Sequence, residues 1–125
     1  MMETTSDDMR YRVRFTNGTH TAASDTTQDK GGSGSGFRPH ELLEAALASR
    51  INMTLRMVAD RHALPLAGVT TRVMLDQTDP EEGVFEYEIV LRGPLSQEDR
   101  DRLLDAAKKC PVRQTLSKRI GFRAR

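Results

Sequence analysis

The sequence is poor in cysteine and in aromatic residues, and these shortages exclude several kinds of site. Among its 125 residues it has one cysteine, no tryptophan and only 5% aromatic residues. A single cysteine rules out a disulfide within the chain and a zinc site built from several thiolates. The three histidines, His20, His40 and His62, lack the spacing of metal ligands. The sequence therefore predicts neither a metal site nor a cofactor.

The sequence also lacks an excess of one charge and a long apolar run. Nineteen Lys and Arg residues face eighteen Asp and Glu residues, for a formal net charge of +1 at pH 7. Mixed charge of this kind does not indicate nucleic acid or an anionic membrane as a partner. No run approaches about 18 apolar residues, and residues 1–10 show no signal-peptide pattern. We expect one cytoplasmic domain, residues 1–125, with a disordered tail at 1–9.

A long apolar helix is predicted at residues 39–62. The segment has no glycine, its one proline suits a first helical turn, and Pro65 follows its end. Apolar residues cover nearly the whole circumference, which indicates a central, buried helix. Arg50 lies on an otherwise apolar seam of this helix, and no carboxylate is found three or four residues away. Its partner is therefore expected elsewhere in the fold, on another subunit or in solvent.

Before this helix, the sequence predicts a β-hairpin and a loop. Residues 11–15 and 19–23 flank Asn17-Gly18, a favoured two-residue hairpin turn. Residues 24–36 are polar and rich in glycine, which predicts a flexible loop. The loop lacks the lysine and hydroxyl pair of a phosphate-binding P-loop.

After the helix, the sequence predicts a second hairpin, two helices and a strand. The strands of this hairpin alternate apolar and polar residues on either side of an acidic turn, and Ser96 resembles a helix N-cap. The order of elements predicts an α+β fold. The predicted elements are strands at 69–75 and 84–91, helices at 96–109 and 112–118, and a strand at 120–124.

Two motifs far apart in the sequence resemble the OsmC family, the osmotically inducible and organic hydroperoxide resistance proteins. The first is PHELLEAALA at residues 39–48, continued by MTLRM at residues 53–57. The second is KCPV at residues 109–112, followed by Thr115-Leu116. The resemblance runs in order over roughly residues 10 to 125, and two separate motifs make coincidence a poor explanation.

The resemblance implies an intertwined homodimer with antiparallel sheets around the long helix and sites at the subunit interface. It also implies hydroperoxide reduction by two cysteines, one on the central helix and one in the Cys-Pro-Val motif. In this chain the first position is Arg50 and the second is Cys110. The two-cysteine mechanism is therefore not possible within one chain. At position 113, where a histidine is common in the motif, this chain has Arg113.

The same alignment suggests that Arg50 and Cys110 form an activated pair, since positions that host a disulfide lie within about 7 Å between Cα atoms. A guanidinium beside the thiol favours the thiolate, so the chain would be a single-cysteine thiol peroxidase that needs an external thiol. A carboxylate used by the organic hydroperoxide branch falls at His40 or Glu41. Met53 and Met57 are candidates for an apolar ligand surface.

Simpler interpretations remain open for these residues. Cys110 fits an inert core thiol, and Arg50 fits an arginine whose stem covers apolar surface while its head reaches a carboxylate across the interface. The alternative function is a protein without enzymatic activity that binds a small apolar or anionic ligand in the interface pocket. The sequence thus leaves two functional classes, an enzyme acting through Cys110 and a ligand-binding protein.

Overall fold

The computed structural model describes residues 1–125 as an α+β protein whose chain divides into two compact units, Met1–Leu43 and Glu44–Arg125. The long helix α1 begins in the first unit and continues into the second. No helix is both long enough and apolar enough to cross a membrane. The elements are β1 (Glu3–Ser6), β2 (Val13–Thr16), β3 (Thr21–Ser24), a 3₁₀ turn (Gln28–Lys30), α1 (Pro39–Arg61), β4 (Gly68–Asp76), β5 (Val84–Arg92), α2 (Gln97–Lys108) and α3 (Pro111–Leu116).

The first unit contains an antiparallel sheet in the order β1-β2-β3. The predicted hairpin is confirmed, with both strands beginning two residues later than expected, and Phe15 lies opposite Ala22. At its turn Gly18 has φ of 96°, a value that favours glycine. The Asn17 side-chain oxygen accepts hydrogen bonds from the backbone N–H groups of Thr19 and His20. Local turn chemistry therefore accounts for this hairpin.

Strand β1 lies in the segment for which the sequence predicts a disordered tail. Its four residues pair with β2, with Thr4 opposite Phe15, and all four side chains are exposed. The pairing is made by backbone groups, and the side chains show no alternation of apolar and polar residues from which a strand could be predicted. The structure thus differs from the expectation at residues 3–6.

The glycine-rich segment of the first unit surrounds a buried carboxylate, Asp25, which is 3% exposed. Its oxygens accept hydrogen bonds from the backbone N–H groups of Thr26 (2.7 Å) and Ser33 (3.1 Å), and from the hydroxyl of Ser33. The Ser35 hydroxyl donates a further bond of 3.3 Å. These donors, with the Ser33 hydroxyl first among them, lower the pKa of Asp25 to about 2 even though burial opposes the charged form.

The second unit has a core built around α1. The predicted helix is confirmed within one residue at its end, and its buried residues recur at every fourth position, which places them on one stripe. The helix faces outside this stripe are more exposed. The buried core comprises Leu47, Ile51, Leu55, Ala59, Leu66, Leu103, Ala107 and Cys110.

The β4–β5 hairpin and the two short helices of this unit match their predicted segments closely. Alternate residues of β5, including Phe85 and Tyr87, pack against the core. Helix α2 begins after Ser96, whose hydroxyl accepts a bond from the Asp99 N–H while the Asp99 carboxylate accepts one from the Ser96 N–H. This reciprocal capping box explains why α2 begins there.

The strand predicted at 120–124 is not formed, and this prediction is wrong. The two sheets contain β1 to β3 and β4 with β5 only, and Phe122 is 98% exposed. Ile120, Phe122 and Ala124 lie at alternate positions as in a strand, but a strand needs a neighbour for its backbone hydrogen bonds. No strand of the chain pairs with this segment.

Candidate functional site

Arg50 is a half-buried cation on α1 without a partner in the chain. The side chain lies in the turn between the buried residues Leu47 and Ile51. Its Nε atom is buried and makes no hydrogen bond, and none of the five salt bridges includes it. Buried polar groups normally have partners, so this nitrogen needs an explanation.

Thr54 is a second polar residue of the same kind, one turn further along α1. Its hydroxyl oxygen is buried and also has no hydrogen-bond partner. Residues four positions apart lie on the same helix face, with Cβ atoms about 5–6 Å apart. Thr54 is not among the site residues predicted from the sequence, although it lies four positions after Arg50 on the predicted helix. The helical spacing was the available signal.

Apolar side chains next to these two polar groups are open to solvent. Met53 is 53% exposed and Met57 is 49% exposed. With Arg50 and Thr54 they occupy two consecutive turns of α1. An exposed flexible apolar side chain beside an unpartnered donor suits a ligand or a protein surface that is part apolar and part anionic.

Cys110 is fully buried, with 0% of its surface exposed. It belongs to the core together with Leu103 and Ala107. It is also the residue at the N-cap of α3, immediately before Pro111, and its side chain makes no capping bond. No hydrogen bond links its thiol to Arg50. The structure therefore shows a free core thiol at the position that the family resemblance assigns to the second cysteine.

The other two candidates lie in the first turn of α1. His40 is exposed, whereas Glu41 is half-buried and forms an ion pair with Arg38 at 2.5 Å. The hydrogen bond from Arg38 lowers the pKa of the Glu41 carboxyl below its usual value. Glu41 is thus already engaged by a neighbour in its own turn. No group of three or more His, Cys, Asp or Glu side chains is arranged to hold a metal ion.

A cavity of about 470 Å³ lies in the second unit, near the end of the β4–β5 turn and α3. Arg113 lies in its wall, donates to the Lys108 carbonyl oxygen at 2.8 Å and lies 5.9 Å from the centroid of the Tyr87 ring. The sequence singled out Arg113 only as a departure from the family motif. The cavity is lined by Leu47, Glu82, Gly83, Val84, Phe85, Tyr87, Arg113, Leu116 and Ser117.

Residues 32–124 match the family model described as OsmC-like protein. No curated protein matches the sequence. Solved structures share the fold at low identity. An organic hydroperoxide resistance protein OsmC of Legionella pneumophila is 20% identical, with a TM-score of 0.66, 94% of this chain and 88% of that chain covered.

Two further solved structures have the same fold. An OsmC-like protein of Mycoplasma pneumoniae is 16% identical, with a TM-score of 0.79 and coverage of 95% of this chain and 87% of that chain. An organic hydroperoxide resistance protein of Elizabethkingia anophelis, with bound thiocyanate, is 19% identical, with a TM-score of 0.67 and coverage of 95% and 88%. Because the family model covers most of its length, this chain belongs to the OsmC family.

Proposed function

We propose that this chain is an OsmC-family protein that binds a small anionic ligand through Arg50 and does not reduce hydroperoxides with a cysteine pair. The buried, unpartnered Nε of Arg50 carries this proposal. Leaving a buried polar group unpaired costs about 1–3 kcal/mol, and more for a charged group. Arg50 as a whole is only half-buried, and an anionic ligand that contacts its guanidinium offsets that cost in a way that an apolar ligand does not.

Thr54 supports a ligand with two acceptor atoms. Its hydroxyl can donate one hydrogen bond, and the Arg50 guanidinium carries five N–H donors. A carboxylate offers two oxygens that accept such bonds. Because Met53 and Met57 are exposed beside this pair, the proposed ligand is a carboxylate with an apolar portion.

The burial of Cys110 argues against peroxide chemistry as the main activity. A thiol attacks a peroxide only when the peroxide oxygen reaches its sulfur, and Cys110 has no exposed surface. Arg50, at the position that the family resemblance assigns to the attacking cysteine, is not a nucleophile. Both features favour the ligand-binding function over the enzymatic one.

We also propose that the protein is a homodimer in which the exposed part of α1 faces the second subunit. Met53 and Met57 project from the same helix that forms the core of the second unit. Exposed large apolar side chains that share one helix face are typical of an interaction surface. In such a dimer the ligand bound by Arg50 lies at the subunit interface.

Titration with benzoate, observed at the ¹⁵Nε resonances of arginine side chains, tests the ligand proposal. We expect a saturable shift of the Arg50 resonance and no shift with benzyl alcohol, which has the same ring without the charge. Arg50→Gln should weaken benzoate binding about tenfold or more, because a hydrogen bond to a charged group contributes about 1.5–3 kcal/mol. Thr54→Val should weaken it by a smaller factor.

Arg61→Gln is the matched control, since Arg61 is an exposed arginine in the last turn of the same helix. It should bind benzoate as the parent protein does. The proposal fails if benzoate gives no saturable shift, or if the parent and Arg50→Gln proteins bind it equally.

A single-cysteine peroxidase is the second candidate, favoured by the position of Cys110 at the N-cap of α3. In this reaction the Cys110 thiolate attacks one peroxide oxygen, the O–O bond breaks, and the alcohol leaves after taking up a proton. The resulting sulfenic acid is reduced by two external thiols, which yields water, the thiol and an external disulfide. Consumption of tert-butyl hydroperoxide with dithiothreitol, compared between the parent and Cys110→Ser, measures it.

Equal consumption by the two proteins removes the peroxidase candidate, whereas loss of consumption in Cys110→Ser establishes it. The proximity of Arg50 and Cys110 has a separate test. In Arg50→Cys, oxidation should join the new cysteine to Cys110, provided that their Cα atoms lie within about 7 Å. Thiol titration before and after oxidation gives the number of free thiols per chain, and two thiols remaining after oxidation would contradict the aligned positions.

A further inference from the structure

We propose that the cavity beside Arg113 is a second small-molecule site, which binds a monocarboxylate with an apolar, aromatic body. It is lined by residues of α1, the β4–β5 hairpin and α3, and Arg50 is not among them. Its volume of about 470 Å³ lies within the range of about 300–1,000 Å³ found for ligand pockets. The site is therefore distinct from the one proposed for Arg50, although both are proposed to bind a carboxylate with an apolar portion.

Arg113 is held in a defined position in the cavity wall. It lies in α3, which begins at Pro111, and its terminal nitrogen donates to the carbonyl oxygen of Lys108 at the end of α2. Its guanidinium also lies 5.9 Å from the Tyr87 ring centroid, within the range of a cation–π contact. Three elements thus fix one side chain, which lowers the entropic cost of binding a ligand with it.

The guanidinium retains donors for a ligand. Arginine has five N–H groups, and the only hydrogen bond that Arg113 donates through its side chain goes to Lys108. No carboxylate forms a salt bridge with it. A carboxylate accepts two parallel hydrogen bonds from a guanidinium, and this planar match distinguishes it from a neutral oxygen group. Arg113 is therefore the cationic residue that anchors the carboxylate of the ligand.

A cluster of apolar and aromatic side chains forms one part of a wall that is otherwise mainly polar. Phe85 and Tyr87 are half-buried on the same face of β5, and Leu116 of α3 lies in the wall with them. Flat aromatic rings favour another ring packed against them at centroid distances of about 4.5–7 Å. A ligand that carries a ring at one end and a carboxylate at the other contacts the aromatic side chains and Arg113 at the same time.

Glu82 sets the charge that the site accepts. It belongs to the exposed turn between β4 and β5 and lines the same cavity. Its negative charge repels a ligand with two anionic groups, while Arg113 attracts one. The pair of opposite charges therefore favours a monoanion.

Calorimetric titration with 4-phenylbutyrate, with 4-phenylbutan-1-ol as the neutral equivalent, tests the site. We expect saturable binding of the acid and at least tenfold weaker binding of the alcohol. Arg113→Gln should weaken binding of the acid at least tenfold, and Arg113→Lys should restore part of it. Arg102→Gln, an exposed arginine of α2 outside this cavity, is the control and should bind as the parent does.

Two further measurements keep the test independent of any structural damage in Arg113→Gln. Glu82→Gln changes only an exposed turn residue, and it should tighten 4-phenylbutyrate binding by roughly two- to fivefold because it removes a repulsion. In the parent protein, 4-phenylbutyrate should shift the ring resonances of Tyr87. Weaker binding in Glu82→Gln, unshifted Tyr87 resonances, or equal binding of acid and alcohol would each overturn the proposal.

Discussion

Single polar side chains at three positions determine much of what is distinctive about this protein. Asp25 is buried and accepts several hydrogen bonds, whereas the buried Nε of Arg50 and the buried hydroxyl oxygen of Thr54 have no hydrogen-bond partner. A buried polar group with hydrogen-bond partners stabilises the fold, while one without partners costs free energy until a ligand binds to it. Buried polar side chains therefore have a structural role in the first unit and a proposed binding role in the second.

Asp25 should make the stability of the protein depend on pH in acid. Its pKa falls from the usual 3.8 to about 2 in the folded chain, first because of the Ser33 hydroxyl. The folded state then binds the proton less readily than the unfolded state, so the contribution of Asp25 is complete above about pH 4 and is lost as pH falls through about 2. The melting temperature should accordingly fall over this interval.

Asp25→Asn should melt at a lower temperature than the parent at pH 7 and should show a smaller decrease between pH 4 and pH 2. Thermal unfolding followed by circular dichroism at several pH values measures both quantities. Asp8→Asn, at an exposed carboxylate, is the control and should follow the parent. Equal acid sensitivity in the parent and Asp25→Asn proteins would contradict this role.

At the scale of elements, segments with a strong local pattern were predicted well. Helix α1, the two hairpins and α2 have apolar periodicity, turn residues or caps, and these signals come from residues close together in the sequence. Strand β1 and the absent strand at 120–124 show the limit of this reading. Strand β1 pairs with β2 although its sequence has no apolar pattern, and residues 120–124 have an apolar pattern but no partner strand. The reason is that strand formation depends on a second strand remote in sequence.

The N-cap of α2 gives a prediction at this scale. Ser96→Ala removes both the acceptor for the Asp99 N–H and the reciprocal capping arrangement. We expect the free energy of unfolding to fall by about 0.5–2 kcal/mol. Ser96→Asp retains a capping oxygen and should lose much less. Urea unfolding of the three proteins gives the comparison, and an equal loss in both variants would show that the cap is not the cause.

At the scale of the whole molecule, the exposed methionines of α1 are the strongest indication of a second subunit. Met57→Glu places a charge on that surface, and burying it in an interface would cost more than the contact provides. We expect the parent to have twice the 14.0 kDa mass of the chain and the variant to have the mass of one chain. Light scattering after size exclusion measures the mass.

Met74→Glu provides the comparison, because Met74 is 56% exposed but lies on the outer face of β4. It should remain a dimer. A parent protein with the mass of one chain, or a Met57→Glu protein that is still dimeric, would contradict the proposed interface.

The sequence by itself determined where the principal helices and hairpins lie, the likeness to the OsmC family, and the presence of Arg50 where that likeness implies a cysteine. These properties depend on periodicity, turn residues and motifs, all of which are local. Only the tertiary structure decided that Cys110 is fully buried, that Arg50 and Thr54 have no partners, and that Arg113 lies in a cavity. Burial, unpaired atoms and cavities arise from packing between residues distant in the chain, and no local pattern specifies them.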